Sequence, residues 1–278
     1  MFAPKEFFYL ISLACNERCT KCSHWKQRDP APLVKIEHVI NLILHLKSLK
    51  EVCLVGGEPL LHKERIFLIL KALESTGIRI NLVTNGTLAD KPFLDQIQGK
   101  NIHVVFSIDT LDKEYWQFVR GNQSFETVIK NLNLAIAKLG PSGQLSIQSV
   151  LSQETEKHIN SIRAFAKEHN LFHSTQDYLQ DGFEGSWTAI KNKTLKQDIG
   201  VACYSTGKNI SVMPNGDVFT CFQQNLIPGC AKPLGNLNQD SVSEILDSQY
   251  LNQVISSMKS CNLPCKTLAC NKERVSYA

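Results

Sequence analysis

Long apolar runs, blocks of like charge and a targeting segment are all missing from this chain. No stretch of its 278 residues approaches the length needed to span a bilayer. Its start, Met-Phe-Ala-Pro-Lys-Glu, has no basic region followed by a long apolar core and a cleavage site. The expectation is therefore a soluble, cytoplasmic protein with no membrane partner. The net charge of +4 is scattered, with no run of five or more basic residues, so nucleic acid is not the expected partner either. The length suffices for one large domain and a small one.

Cysteine is the residue present in excess. There are ten, and without a signal segment ligation of a metal or cluster is a better reading than disulfides. They fall in two groups: Cys15, Cys19 and Cys22 near the start, then Cys203, Cys221, Cys230, Cys261, Cys265 and Cys270, with Cys53 alone between them. Two groups imply two sites, and Cys53, inside an apolar run, reads as a small buried hydrophobe.

The first group has a C-x3-C-x2-C spacing directly after the apolar run Phe7 to Leu13. A cubane iron–sulfur cluster wants four protein ligands. This loop offers three, which leaves one iron open to something else. The alternative is a zinc knuckle with His24 as fourth ligand. The spacing resembles the signature of the radical S-adenosylmethionine (radical SAM) enzymes. That resemblance implies a [4Fe–4S] cluster on Cys15, Cys19 and Cys22, whose open iron is chelated by the amino and carboxylate groups of SAM.

From residue 7 to about 178, strand-like runs alternate with segments of helical period. The strands are expected at Phe7 to Leu13, Glu51 to Val55, Arg79 to Thr84, Asn101 to Ser107, Gln144 to Val150 and Leu171 to Tyr178. The helices are expected at Ile36 to Leu49, Ile66 to Leu73, Phe93 to Ile97, Phe125 to Leu139 and Ile159 to Phe165. Such a series predicts parallel strands joined by right-handed crossovers, with chemistry at the C-terminal ends of the strands. The expected fold is α/β, a partial (β/α)6 TIM-like barrel over 1–180. A linker or substrate loop follows over 181–202, then a small α+β auxiliary-cluster domain over 203–278. Phe183 and Trp187 are the residues of that loop expected to touch substrate.

The second strand runs into Gly56-Gly57-Glu58-Pro59, where paired glycines let backbone approach a ligand closely. Alone this is a strand-to-helix turn; after the cysteine triplet it resembles the family's GGEP motif, which binds the SAM amino group. Thr84-Asn85-Gly86 is an Asn-Gly turn and is similar to the family's segment at the cofactor pocket. Ser107 and Asp109 share one face at the end of the fourth strand. They are helix-capping candidates that the resemblance assigns to ribose hydroxyls or the SAM carboxylate. Arg120 is similarly implied to pair with the SAM carboxylate, with a surface role as the alternative, and Gln148 is a candidate for the adenosyl group. One departure stands out: Lys21 occupies a position that is often aromatic in the family and packs near adenine, which leaves Trp25 or His24 for that task.

Beyond residue 200, Pro214-Asn215-Gly216-Asp217 between two alternating stretches signals a hairpin, and a helix is expected from Val242 to Met258. This region resembles the SPASM and twitch domains of radical SAM enzymes. It implies one auxiliary [4Fe–4S] cluster on Cys203, Cys221, Cys261 and Cys265, with Cys270 as a possible further ligand and a structural zinc site as the alternative. Cys230 lies outside the matched pattern and is a candidate extra ligand, hydrogen-atom donor to a substrate radical, or inert loop residue. The resemblance implies a peptide or small-molecule substrate and an electron donor such as flavodoxin or ferredoxin. The reaction implied is epimerisation, cross-linking or oxidation of a peptide, or oxidation of a carbohydrate or aminocyclitol alcohol. No leader-binding module is expected ahead of the first strand. A non-catalytic iron–sulfur or zinc protein is the alternative of another class.

Overall fold

The computed structural model describes residues 2–178, 203 and 205–260. The expected linker 181–202 with Phe183 and Trp187, and Cys261, Cys265 and Cys270, lie outside the described residues.

The strands form where the apolar runs lie. Strand β1 (Glu6–Ser12) buries Phe7, Tyr9, Leu10 and Ile11, a continuous apolar run of the kind found in strands covered on both faces. It is followed by β2 (Glu51–Gly56), β3 (Arg79–Thr84), β4 (Ile102–Ser107), β5 (Leu145–Leu151) and β6 (Phe172–Asp177). Between them run α1 (Ile36–His45), α2 (Lys63–Leu73), α3 (Lys91–Ile97), α4 (Lys113–Arg120), α5 (Phe125–Leu139) and α6 (Glu156–Glu168). The buried stripe of α5, Val128, Leu132, Ala135 and Leu139, keeps helical spacing.

Helices α2, α3 and α6 start two or three residues earlier than expected, and α1 and α4 differ more. Helix α1 stops at His45 instead of Leu49, because the Leu46 amide splits between the carbonyls of Leu42 and Ile43 and closes the last turn. Helix α4 was not foreseen: it is only eight residues long, and its buried apolar side chains are Trp116 and Val119 alone. Asp112 starts it by accepting from the amides of Glu114 and Tyr115, and Gly121 ends it in the left-handed conformation, φ +68°.

The chain forms two compact units, and β1 and β2 contribute to both. The larger comprises Ile11–Asp29 and Cys53–Lys191. It holds β3 to β6, α2 to α6 and the C-terminal ends of β1 and β2, the greater part of the partial (β/α)6 barrel, whose strand order is β6-β5-β4-β3-β2-β1. The pairs from β3 to β6 are parallel, with Thr84 opposite Phe106, Ser107 opposite Gln148, and Gln148 opposite Ser174.

The smaller unit is drawn from Met1–Leu10, Pro30–Val52 and Asn192–Ala278. It holds the first part of β1 beside β7 (Asn209–Val212), β8 (Asp217–Phe219) and β9 (Gly235–Asn236). Strand β7 pairs parallel with β1, Glu6 opposite Asn209, and forms the expected antiparallel hairpin with β8, Ser211 opposite Phe219. The single helix expected from Val242 is two, α7 (Val242–Leu246) and α8 (Gln249–Lys259). Ser248 breaks it by capping the Leu251 amide and starting a new helix. Among the described residues no helix is long and apolar enough to cross a membrane.

Candidate active site

In the larger unit the ends of β1 to β4 meet at one pocket. Cys15, Cys19 and Cys22 line it from the loop after β1, Gly56 and Gly57 from the end of β2, Thr84 and Asn85 from β3, and Ser107 from β4. Arg120, the last residue of α4, completes the wall. These are nine of the residues singled out from sequence. Glu58, Pro59, Asp109 and Gln148 do not line the pocket, and the first and third of these hold residues that do.

The cysteine loop is pinned from three sides. At its entrance the carboxylate of Asp29 accepts from the Ser12 hydroxyl (2.9 Å), the Leu13 amide (2.6 Å) and the Ala14 amide (3.3 Å). His62 Nε2 sits 3.0 Å from Oδ2 of the same carboxylate, the oxygen that takes the Ser12 hydroxyl. From β2, the amides of Gly57 and Glu58 donate to the carbonyls of Ser12 (2.8 Å) and Ala14 (2.9 Å). From α4, the carbonyls of Arg120 and Val119 accept from the amides of Arg18 (3.0 Å) and Thr20 (3.2 Å), so the loop caps that helix.

Asp29 carries no spacing signal in the sequence, since its partners lie 15 to 33 residues away. Burial acts to raise its pKa, but the bonds from His62, Leu13, Ser12 and Ala14 outweigh it and hold the carboxyl below its usual value. Its support is therefore present near neutrality and is lost as pH falls through that lowered pKa. Asp29→Ala should cost about 1–3 kcal/mol by orphaning the Leu13 and Ala14 amides. Denaturant unfolding at pH 7 measures this loss, which should shrink in acid.

Glu58 is a fully buried hub. Its carboxylate accepts from the amides of Leu60 (2.9 Å) and Asn85 (2.8 Å) and from the Thr84 hydroxyl (2.7 Å), which orders the turn that carries Asn85. Asn85 in turn reaches Asn16 Oδ1 (2.9 Å) and Cys15 Sγ (3.8 Å) in the cysteine loop. Burial raises the Glu58 carboxyl to about 7 against the pull of Asn85, Leu60 and Thr84. An acid whose folded pKa lies above its unfolded one holds its proton more tightly in the fold. Its contribution therefore favours folding at low pH and declines as pH rises from about 4.5 to about 7. Denaturation midpoints of the cluster-free protein across this range should show the decline, and Glu58→Gln should flatten it.

The opposite wall is cationic. Arg120 is buried, donates to the Ser107 carbonyl, reaches Cys19 Sγ at 3.7 Å and lies 3.4 Å from Asp109. Burial works against its charge, but Cys19, Asp109 and Glu17 more than restore it, and its pKa is raised. Lys21 Nζ meets the same Asp109 oxygen at 2.5 Å. Burial opposes the charge of Asp109 too, and Lys21 and Arg120 overcome it, so the pKa of this carboxyl is lowered. Neither carboxylate oxygen of Glu17, which lines the pocket between two cysteines, has a hydrogen-bond partner of normal geometry. Burial raises its pKa against the weaker influence of Ser124, Arg120 and Asn122. His24 and Trp25 form a short 3-10 turn on the rim, where either is placed to cover a ligand.

The donor set suits a cluster. Burial pushes the Cys15 thiol up to about 12 and raises that of Cys22, so these groups are protonated until a metal displaces the proton. Among the described residues no three Cys, His, Asp or Glu side chains converge on a single point as one metal ion would require. A cubane gives each thiolate its own iron and does not ask for convergence. The Gly56-Gly57 backbone on one side and the Arg120 guanidinium on another match a zwitterionic ligand bearing an ammonium and a carboxylate.

In the smaller unit Cys203 precedes β7, and Cys221 follows β8, at the same open end of the hairpin; both are half-buried. Cys230 is fully buried. Its amide donates to the Ile227 carbonyl (2.9 Å) and its carbonyl accepts from Gln224 Nε2 (3.1 Å). Gln224 also takes the Thr220 amide and hydroxyl, so it organises the whole loop after β8.

Known proteins share these features. A family model described as the Radical SAM superfamily matches residues 9–166, and one described as an iron–sulfur cluster-binding domain, SPASM, matches residues 203–271. The chain is similar to a probable GTP 3′,8-cyclase of Archaeoglobus fulgidus, 27% identical over 45% of this chain and 42% of that protein. It is also similar to the radical SAM cyclopropyl synthase TigE of Paramaledivibacter caminithermalis, 24% identical over 82% of this chain and 58% of that protein. The chain spans about half the length of the curated cyclases it matches. Among solved structures, Streptococcus suis SuiB bound to S-adenosylmethionine superimposes with a TM-score of 0.72 at 17% identity, over 94% of this chain and 72% of that one. SuiB bound to its precursor peptide SuiA gives the same score. The structure of anSMEcpe with AdoMet and the Cp18Cys peptide gives 0.68 at 18% identity, over 96% and 88%.

Proposed function

Because the chain belongs to the radical SAM superfamily and carries an iron–sulfur cluster-binding domain, we propose that it is a SAM-dependent enzyme that modifies a peptide. The observation that carries the reading is the single pocket that joins Cys15, Cys19 and Cys22 to Gly56, Gly57, Asn85 and Arg120. With cluster and SAM bound, the chemistry supplied is reductive cleavage of SAM to a 5′-deoxyadenosyl radical that takes a hydrogen atom from an unactivated carbon. The chain's own part is positional. The three cysteines would hold the cluster. The Gly56-Gly57 backbone and the turn ordered by Glu58 receive the SAM ammonium, and Arg120 receives its carboxylate. His24 and Trp25 shield the adenine.

The peptide assignment draws on the two structural neighbours solved with peptides, which superimpose on 94% and 96% of this chain. The similarity to the GTP 3′,8-cyclases covers between 45% and 69% of this chain, against 94% and 96% for the two peptide-bound neighbours, so a nucleotide substrate is the weaker reading. A flavodoxin or ferredoxin would deliver the electron. Cys203 and Cys221 would hold the auxiliary cluster together with Cys261 and Cys265. Cys230, buried beneath the loop that Gln224 organises, is better suited to packing than to meeting a substrate radical.

The test is 5′-deoxyadenosine release by the anaerobically reconstituted protein with SAM and a low-potential reductant. A panel of cysteine-containing peptides, GTP and an aminocyclitol would be compared with a substrate-free background. Stimulation by peptides alone supports the reading. Stimulation by GTP or the cyclitol alone overturns it.

A further inference from the structure

Asp109 stands at the centre of an uneven charge cluster. Its side chain is fully buried. One oxygen accepts from the Val150 amide at 2.8 Å, and the other faces two cations, Lys21 Nζ at 2.5 Å and Arg120 Nη2 at 3.4 Å. This carboxylate meets both cations, Arg120 having Glu17 nearby as well, and both cations belong to the wall of the cysteine pocket. Arg120 points its other terminal nitrogen at Cys19 Sγ, 3.7 Å away, and Lys21 is the residue directly before Cys22. With its side chain only 14% exposed, the ammonium of Lys21 is shielded from the solvent that would screen it.

We propose that Lys21 is a positioning residue that sets the reduction potential of the cluster held by Cys15, Cys19 and Cys22, by giving Asp109 a second cation. The inference rests on the reading of this pocket as the cluster site. Adding one electron, from a low-potential one-electron donor, makes the cluster more negative by one charge. Charge close by in a poorly screened site shifts that equilibrium, and cluster potentials respond to net charge and hydrogen bonds around the sulfurs. With Lys21 in place the trio Lys21, Asp109 and Arg120 carries one net positive charge, which favours the reduced cluster. Without Lys21, Arg120 and Asp109 cancel, and Arg120 is drawn toward the carboxylate and away from Cys19. Reduction becomes harder.

The experiment is a redox titration followed by electron paramagnetic resonance on the reconstituted wild type, Lys21→Met and Lys21→Arg. The signal of a Cys15/Cys19/Cys22→Ala variant is subtracted to remove the auxiliary cluster. Lys21→Met keeps the apolar stem and removes the charge. Its reduced-to-oxidised ratio at fixed potential should fall about tenfold, a midpoint more negative by about 59 mV for a one-electron couple. Lys21→Arg keeps the charge and should titrate with the wild type. Asp109→Asn leaves both cations without a counter-charge and should move the midpoint the opposite way, which separates charge from disturbance of the fold. If Lys21→Met fails to assemble a cluster, Lys21→Gln and Asp109→Asn carry the comparison. Coincident titration of the wild type and the charge-removing variant overturns the proposal. So does an equal shift in Lys21→Arg, or a shift of the same sign in Asp109→Asn. A wild type whose iron content is unchanged by loss of the three cysteines overturns the cluster-site reading itself, a result told apart by iron analysis before any titration begins.

Discussion

Replacing Cys15, Cys19 and Cys22 together by alanine should abolish 5′-deoxyadenosine formation, with a fall in rate of more than about a thousandfold, because in the function proposed above these residues hold the cluster that delivers the electron to SAM. Iron should fall from roughly eight to roughly four per chain if one cubane remains on the auxiliary cysteines. The fold itself should survive. Cys19 is buried and the other two are half-buried, while the loop is held by bonds that involve no thiol: Asp29 to the Leu13 and Ala14 amides, and the loop amides to the end of α4. Burial holds the Cys15 thiol, raised to about 12, and the Cys22 thiol protonated in the metal-free protein, so their loss removes no charge, and the metal-free variant should be no less stable than the metal-free wild type by more than about 1 kcal/mol. Iron and sulfide analysis, chromatographic assay of 5′-deoxyadenosine and a thermal melt read the three parts separately. Zinc in place of iron, with SAM left whole, would mean that the cysteines are structural.

How much of this was legible in the sequence depended on how far apart the interacting residues lie. The cysteine loop, Gly56-Gly57-Glu58 and Thr84-Asn85 are each contiguous, and each follows a strand whose apolar run is evident, so position and motif reinforced one another. What escaped were arrangements between distant segments. Asp29 meets Ser12 and His62 across 17 and 33 residues, and Asp109 joins Lys21 across 88. Nothing local marks these aspartates as anchors. Lys21 could be seen as a departure from an aromatic position, yet its ion pair could not. Helix α4 fell below the length at which periodicity speaks, although Asp112 and Gly121 were there as its start and stop signals. The long helix expected after residue 242 showed the reverse error, because apolar period continued across a capping serine that the chain in fact uses. The parallel pairing of β7 with β1 joins residues about 200 apart and left no trace in either segment.

The contact that aligns the two best-read motifs leads to the second large effect, the response to Gly57→Ala. A methyl group on Gly57 would stand 2.1 Å from the Ala14 carbonyl oxygen, 2.5 Å from its carbon and 2.7 Å from the Leu13 carbonyl oxygen. All three are backbone atoms, so no side-chain rotation relieves the clash, and the cysteine loop and the end of β2 must separate. That separation strains the bonds from the Gly57 and Glu58 amides to Ser12 and Ala14, and with them the register between the three cysteines and the Gly56-Gly57 turn. The expected cost is about 3 kcal/mol or more, since overpacking against fixed backbone exceeds the ordinary range for one methyl. For a chain of this size that corresponds to a fall in Tm of about 5 °C or more. Gly77→Ala provides the control: Gly77 is left-handed, φ +73°, with nothing within 4 Å of its missing Cβ, so it carries the conformational penalty alone, about 1 kcal/mol. At a temperature where both variants are folded, Gly57→Ala should still bind SAM at least tenfold more weakly than wild type after reconstitution, while Gly77→Ala should match it. Equal melting temperatures for the two variants would show that β2 and the cysteine loop are not packed backbone to backbone, and the alignment of the pocket would need another cause.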